Sequence, residues 1–394
     1  MSSLESLRQL LRQSHQSRPE DLPDMIMQAA PMLDADTLVI YVVDHHQRVL
    51  VPLLGGSAPQ RETLTIDGTL AGRAFSTVIS ARNDQAGGTH LWMPLLDGSE
   101  RLGVLEVLAA RPLSDQAVDD CAAVASLLAE MLVTRGLYSD TIERLRRREP
   151  MELAAEMLRA QLPPLTYSTG HVVISGILEP SYDVAGDAFD YAVNGDIAHL
   201  ALFDAAGHGS AGGMRSVILA SIALAGYRNA RRAGLDLAPT YHHIDHAVRA
   251  HDRAGMITAI LAELDQRTGT LQLISAGHPS GMIMRDGKVV KVLPTPTALP
   301  LGLGGRRPPV TVQESLEPGD RLLLYTDGII EARAPNGEQF GTDRLVEFTA
   351  RAVADGRPPP ETTRRLVHAI LEYQQDQLQD DATVLLVEWC SPAE

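Results

Sequence analysis

Residues 181–213 read SYDVAGDAFDYAVNGDIAHLALFDAAGHGSAGG. The first part is an acidic turn holding Asp183, Asp187 and Asp190. The second is an apolar run, Ile197 to Phe203, that ends on Asp204 and passes into the glycine-rich AAGHGSAGG. A strand that delivers a carboxylate to its open end, followed by small residues that admit a ligand to the backbone, builds either a cation site or a phosphate site. The rest of the chain has to decide between them.

Further apolar segments also end or begin on carboxylates: LLLYTDG places Asp327 and QDDATVLLV opens on Asp380 and Asp381. With Asp187 in GDAFD and Asp204 in ALFD, acidic residues stand at separated strand ends and tight turns. If the fold gathers them, mutual repulsion raises their pKa values unless cations neutralise them. Carboxylates with no histidine or cysteine at ligand spacing select hard divalent ions such as Mg²⁺ or Mn²⁺. Two such ions lower the pKa of a shared water and orient a phosphoryl group for in-line attack. An aspartate before glycine is ordinarily a turn residue or helix cap, so the weight rests on the ordered set.

A rival reading uses Gly207, Gly209 and Gly212, which fit G-x-G-x-x-G after a strand and before a helix, the pattern of a dinucleotide site. Asp204 would then put negative charge beside the pyrophosphate. The following RNARRAGLDLAP also supplies no second parallel strand carrying an acid. His242, His243 and His246 share one helix at metal-pair spacing, but no acidic pattern completes a site, and a solvated face is the simpler reading. His278 in SAGHP ends a strand and is read as structural, bonding across the active face.

Outward from this stretch, strands are expected at 171–178, 198–203, 256–264, 270–275, 281–284, 288–293, 310–313, 321–325 and 383–388, with helices at 213–231, 239–250, 342–354 and 360–376. Adjacent strands joined by tight turns, with helices set apart, indicate an antiparallel α+β domain over 166–394. Residues 1–132 contain leucine-periodic helical segments, a β-hairpin over 37–54, further strand pairs and a helix from Ser114 to Leu132, which together describe a small α/β sensor domain. Between them, 133–165 reads as a helical connector in which Leu153, Met157, Leu158 and Leu162 face together before Pro163 and Pro164.

The chain has 394 residues, 44% of them hydrophobic and 21% charged, with a net charge of −16. That length suits two or three domains, and that charge opposes broad attraction to nucleic acid or anionic lipid. Cys121 and Cys390 are the only cysteines, too few for a disulfide framework. The first twenty residues lack the apolar core of a secretory signal, and the expected location is the cytoplasm.

Residues 180–389 resemble the metal-dependent serine/threonine protein phosphatases of the PPM superfamily, in particular their bacterial SpoIIE-type members. Six motifs stand in that family's order: SYDVAGDAFDY, FDAAGHG, TAILAELDQRTGTLQLISAGHPSGMI, LPLGL, GDRLLLYTDGIIEARAPNGEQFG and DDATVLLV. The resemblance implies an α-β-β-α sandwich. It also implies hydrolysis of phosphoserine or phosphothreonine by metal-activated water, with Mg²⁺ or Mn²⁺, in two ions, as cofactor and no covalent enzyme intermediate. Asp204 would bridge both metals, with the Ala205 carbonyl on one of them. Asp327 and Asp380 would hold the other, with Asp381 beside it, and Asp187 would join through water or a further metal; Asp204 and Asp187 are the catalytic candidates. The chain departs from the pattern at Ala185 and Ala188 around Asp187 and at Ala205 and Ala206. A backbone carbonyl ligand tolerates alanine, so metal binding is expected to survive.

His208 does not occupy the position of the catalytic histidine in eukaryotic relatives and is read as a loop-packing residue. The N-terminal segment resembles a GAF sensor in its strand order and in GTLAGRAF and LWMPL, with either a small-molecule pocket or a purely dimer-forming role. The helices at 114–132 and 151–162 are expected to pair across a homodimer and to set the geometry of the metal site. By the same resemblance the substrate would be a phosphorylated STAS-type anti-sigma-factor antagonist. The alternatives are an inert binding module of the same fold and a phosphatase acting on a small phosphate ester.

Overall fold

The computed structural model describes residues 17–56, 59–85, 87–180, 182–183, 186–207, 213–294, 298–305, 308–375, 378 and 380–390. The chain separates into two compact units, Met1–Pro150 and Met151–Glu394. The 133–165 segment is therefore shared between them.

In the first unit, β1 (Thr37–Val43), β2 (Val49–Leu53), β3 (Leu64–Thr65), β4 (Ala81–Gln85), β5 (Gly88–Asp97) and β6 (Glu100–Ala109) form one antiparallel sheet in the order β3-β2-β1-β6-β5-β4. The expected hairpin is β1–β2, and its turn is held by the Asp44 carboxylate, which accepts the N–H groups of Arg48 and Val49, both at 2.8 Å. Helices α1 (Leu22–Ala29), α2 (Leu70–Thr77), α3 (Asp115–Gly136) and α4 (Thr141–Arg146) complete the unit. Ser114 caps α3 by accepting the Ala117 N–H at 3.2 Å, and Cys121, Val124, Ala125, Leu128, Met131 and Leu132 bury one face of it. The unit is a sheet with helices, as the sequence implies.

The second unit opens with α5 (Leu153–Arg159). The expected apolar stripe on this helix is divided: Ala155 and Leu158 are buried, whereas Leu153 is 65% exposed. The smaller alanine packs because α5 lies against the next long helix. Two antiparallel sheets follow. The first has β9 (Asp187–Asn194), β10 (Ile197–Ala205), β11 (Ile257–Asp265), β12 (Thr270–Ala276) and β15 (Val312–Ser315), ordered β15-β12-β11-β10-β9. The second has β7 (Thr166–Ser168), β8 (Val172–Glu179), β13 (Met282–Arg285), β14 (Lys288–Val292), β16 (Arg321–Tyr325) and β17 (Ala382–Trp389), ordered β14-β13-β16-β17-β8-β7.

Strand periodicity explains how these sheets stack. Leu385, Val387 and Trp389 of β17 join Phe189, Leu200 and Leu202 in the core between the sheets. The alternate residues Val384 and Leu386 pack outward under α9 (Gly341–Ala354) and α10 (Pro359–Tyr373). On the other side, Phe203 meets Tyr227 of α6 (Gly213–Arg232) edge to face at 6.0 Å, and α7 (Leu237–His251) lies beside α6. The result is the four-layered α-β-β-α sandwich that the resemblance implies.

Gly176 shows how tightly the layers close. A Cβ there would stand 2.4 Å from the Phe189 ring. Gly176→Ala is expected to cost about 1–3 kcal/mol through overpacking, measured as a lower urea midpoint with an unchanged slope. Among the described residues, no helix is long and apolar enough to cross a membrane.

Candidate metal and phosphoryl site

The stretch containing Asp187 and Asp190 is a strand, not an acidic turn. Its residues pair with β10 in a register that sets Asp187 directly opposite Asp204. Side chains alternate along a strand, so Asp187 shares the inner face with Phe189 while Asp190 points the other way. Asp190 is buried and accepts from Arg228 at 2.7 Å and Arg231 at 2.9 Å, both on α6. It is a structural ion pair outside the candidate site. Asp183 is exposed.

On the inner face, the neighbour of Asp204 in the next strand is Thr258. Asp187, Asp204 and Thr258 thus form a row across three strands at one end of the sheet. From the opposing sheet, Thr326 and Thr383 donate their hydroxyl hydrogens to Asp187 Oδ2 at 2.6 and 2.7 Å. Asp381 Oδ2 accepts the N–H groups of Gly186 at 2.7 Å and Asp187 at 3.0 Å. Asp327 opens the short helix α8 (Asp327–Ile330). Gly328 is needed there because a Cβ would lie 1.9 Å from the Asp381 carbonyl oxygen.

The electrostatics follow from this arrangement. Burial, followed by the charges of Asp327 and Asp380, pushes Asp204 up to about 7. Burial, with Asp381 and Asp204 behind it, raises Asp187 well above the ordinary carboxylate range. Asp327 is raised by burial and by Asp380. These carboxylates therefore act on one another, and a cation would relieve the repulsion. Among the described residues no three His, Cys, Asp or Glu side chains are already gathered into ligand geometry. The chemistry of the donor set, oxygen-only and mutually repelling, nevertheless fits hard divalent ions.

The Ala205 carbonyl oxygen fits the same picture. A Cβ on Gly186 would approach it to 2.8 Å and the Ser216 side chain to 2.7 Å. Glycine at 186 therefore leaves that carbonyl room beside Asp187. His208, Gly209 and Gly212 lie outside the described residues, as do Ala185 and residues 1–16.

Sequence reasoning missed Thr258, Thr326 and Thr383. Nothing in their local motifs marks them; only inter-strand register brings them to the aspartates. His278 bonds across the active face as expected. Burial lowers it to about 3, so the ring is neutral. Its Nε2–H donates to the Tyr325 carbonyl at 3.2 Å, which leaves Nδ1 to accept from the Thr258 hydroxyl at 2.7 Å. That hydroxyl also stands 3.2 Å from Asp204 Oδ2. His242, His243 and His246 are all exposed on α7.

A family model described as Stage II sporulation protein E (SpoIIE) matches residues 194–390, half of the chain. The chain belongs to the SpoIIE family. The SpoIIE match begins after Asp187, so the cross-strand pairing is what joins that residue to Asp204. Among curated relatives, the chain is similar to Phosphoserine phosphatase RsbU of Bacillus subtilis, with 21% identity over 268 residues that cover 66% of this chain and 77% of that protein. It is also similar to Protein IcfG of Synechocystis, with 31% identity over 96 residues, 24% of this chain and 15% of that protein. Among solved structures, the RsbU and RsbW domains of Rv1364c from Mycobacterium tuberculosis align with 24% identity and a TM-score of 0.49, over 57% of this chain and 63% of that one.

Proposed function

We propose that the SpoIIE domain is a metal-dependent protein serine/threonine phosphatase. The observation that carries the reading is the pair of facing carboxylates on adjacent strands, buried Asp187 and half-buried Asp204, with the charges of Asp327 and Asp380 acting on Asp204. Asp204, the Ala205 carbonyl, Asp327 and Asp380 would hold the ions, and Asp187 would take part directly or through water. Bound Mg²⁺ or Mn²⁺ supplies Lewis acidity and an activated water for in-line attack on phosphorus. Asp381 has one oxygen engaged by two backbone N–H groups, so its part is to fix Asp187 in place beside them. Thr326 and Thr383 orient the Asp187 carboxylate, while Thr258, beside Asp204, gives its hydroxyl hydrogen to neutral His278.

The test is hydrolysis of an aryl phosphate and a phosphoserine peptide with Mn²⁺ and with chelator. Turnover of both that chelator abolishes is expected. Turnover of the aryl phosphate alone would favour a small-ester phosphatase, and no turnover would favour an inert binder. Thr383→Val, which removes a hydrogen bond to Asp187 Oδ2, should raise the Mn²⁺ concentration needed for half-maximal rate about tenfold, as loss of a ligand-orienting contact does, with the circular dichroism spectrum unchanged.

For the substrate we infer a phosphorylated STAS-type anti-sigma-factor antagonist in a cytoplasmic partner-switching pathway. Similarity to the phosphoserine phosphatase RsbU supports this. The first unit would be a GAF-like sensor that regulates the site, with the helices at 114–132 and 151–162 pairing across a homodimer. A monomeric full chain at micromolar concentration by light scattering would refute the dimer.

A further inference from the structure

A second feature lies on the same sheet end. A cavity of about 590 Å³ is lined by His246, Arg249, Ala250, Arg253, Gly302 and Leu303. Three basic side chains lining one hollow stand out in a chain of net charge −16. Asp245, the nearest acid on α7, is buried and committed: its Oδ1 accepts the N–H groups of Gly302 at 2.9 Å and Gly304 at 3.1 Å. Its other oxygen is 3.8 Å from Arg249. Asp252 is paired with Arg215 at 2.6 Å. Gly304, with φ of 68°, lets Arg249 lie over the loop, since a Cβ there would approach the guanidinium to 2.4 Å. Arg253 is exposed, with no ion-pair partner among the described residues.

The backbone sets the distance from this hollow to the aspartates. Ala205 pairs with Ile257, and Ile257 in turn exchanges both backbone hydrogen bonds with Leu301, at 3.0 and 2.8 Å. Gly302 and Leu303 follow directly. Two strand spacings separate Ala205 from Leu301, about 10 Å, which an extended peptide covers in about three residues.

We propose that this hollow is a recognition subsite for an acidic side chain on the protein substrate, three to five residues from the phosphorylated serine or threonine. The proposal rests on the phosphatase reading of the aspartate site and adds a substrate preference to it. A carboxylate fits because Arg249 and Arg253 offer charge-assisted donors, and the buried Asp245 holds the loop that forms one wall.

Two fluorescein-labelled phosphoserine peptides, one carrying glutamates at positions three to five after the phosphoserine and one carrying glutamines, provide the test on the full chain. Binding is read by anisotropy and turnover with Mn²⁺. The acidic peptide is expected to bind about five- to tenfold more tightly and to show the same advantage in kcat/KM. Arg253→Glu should erase that advantage and Arg253→Lys should keep most of it, while aryl phosphate turnover stays unchanged in both. Equal binding of the two peptides, or a preference that survives Arg253→Glu, overturns the subsite. Loss of aryl phosphate turnover in the native chain would count against the phosphatase reading alone, because anisotropy still decides the subsite.

Discussion

Asp204→Asn is expected to lower Mn²⁺-dependent turnover about a thousandfold, since it removes a charge from the centre of the carboxylate set while leaving the strand intact. The same variant should be more stable than the native chain when both are metal-free. Asp204 is held up to about 7 in the fold, against about 4 for an ordinary aspartate. The folded chain therefore holds this proton more tightly than the unfolded chain does. Stability is greatest below pH 4 as far as this group is concerned, falls as pH rises towards 7, and levels off above it. Asparagine carries no such penalty. At pH 8 in chelator the variant should melt higher than the native chain, and added Mn²⁺ should stabilise the native chain more than the variant. A variant that melts lower in chelator, or retains native turnover, would contradict this account of the site.

Asp190→Ala should do the opposite. Only three residues from Asp187, it faces away from the site and into two arginines, and the pairs are buried on the aspartate side. Removing it leaves Arg228 and Arg231 without their shared carboxylate, which costs about 3–5 kcal/mol for a buried pair. The effect should appear as a large fall in the urea midpoint. For the fraction that remains folded, kcat with an aryl phosphate is expected to stay within about twofold of native. A large loss of kcat with unchanged stability would place Asp190 in the site after all.

The contrast between these two aspartates also shows how far the residue order alone reaches. Carboxylates at the ends of apolar runs were legible, because a strand that closes on Asp204 or Asp327 is a local pattern. An antiparallel α+β domain was legible from strand spacing, and the sandwich only from the family motifs. The role of Asp190 was not, because it depends on whether 187–194 is a turn or a strand. AGDAFDYAVNGD carries enough small and acidic residues to suggest the former. Pairing with β10 overrides that local preference and sends alternate side chains to opposite faces. The threonines were hidden for a related reason. Thr258, Thr326 and Thr383 sit in three separate strands or strand ends and acquire meaning only from register. Asp381 was placed near the metals by resemblance, whereas its contacts to Gly186 and Asp187 connect residues nearly 200 positions apart.

The position of β17 has a consequence for synthesis on the ribosome. It lies in the interior of its sheet, between β16 and β8, and it is made after both of them. Until residues 380–389 emerge, β8 and β16 have no shared neighbour, Asp187 lacks the Thr383 hydroxyl, and the loop at Gly186 lacks its anchor. A nascent chain therefore carries an unjoined half-sandwich and none of the completed site. Phosphatase activity should therefore arise in one step as β17 is inserted.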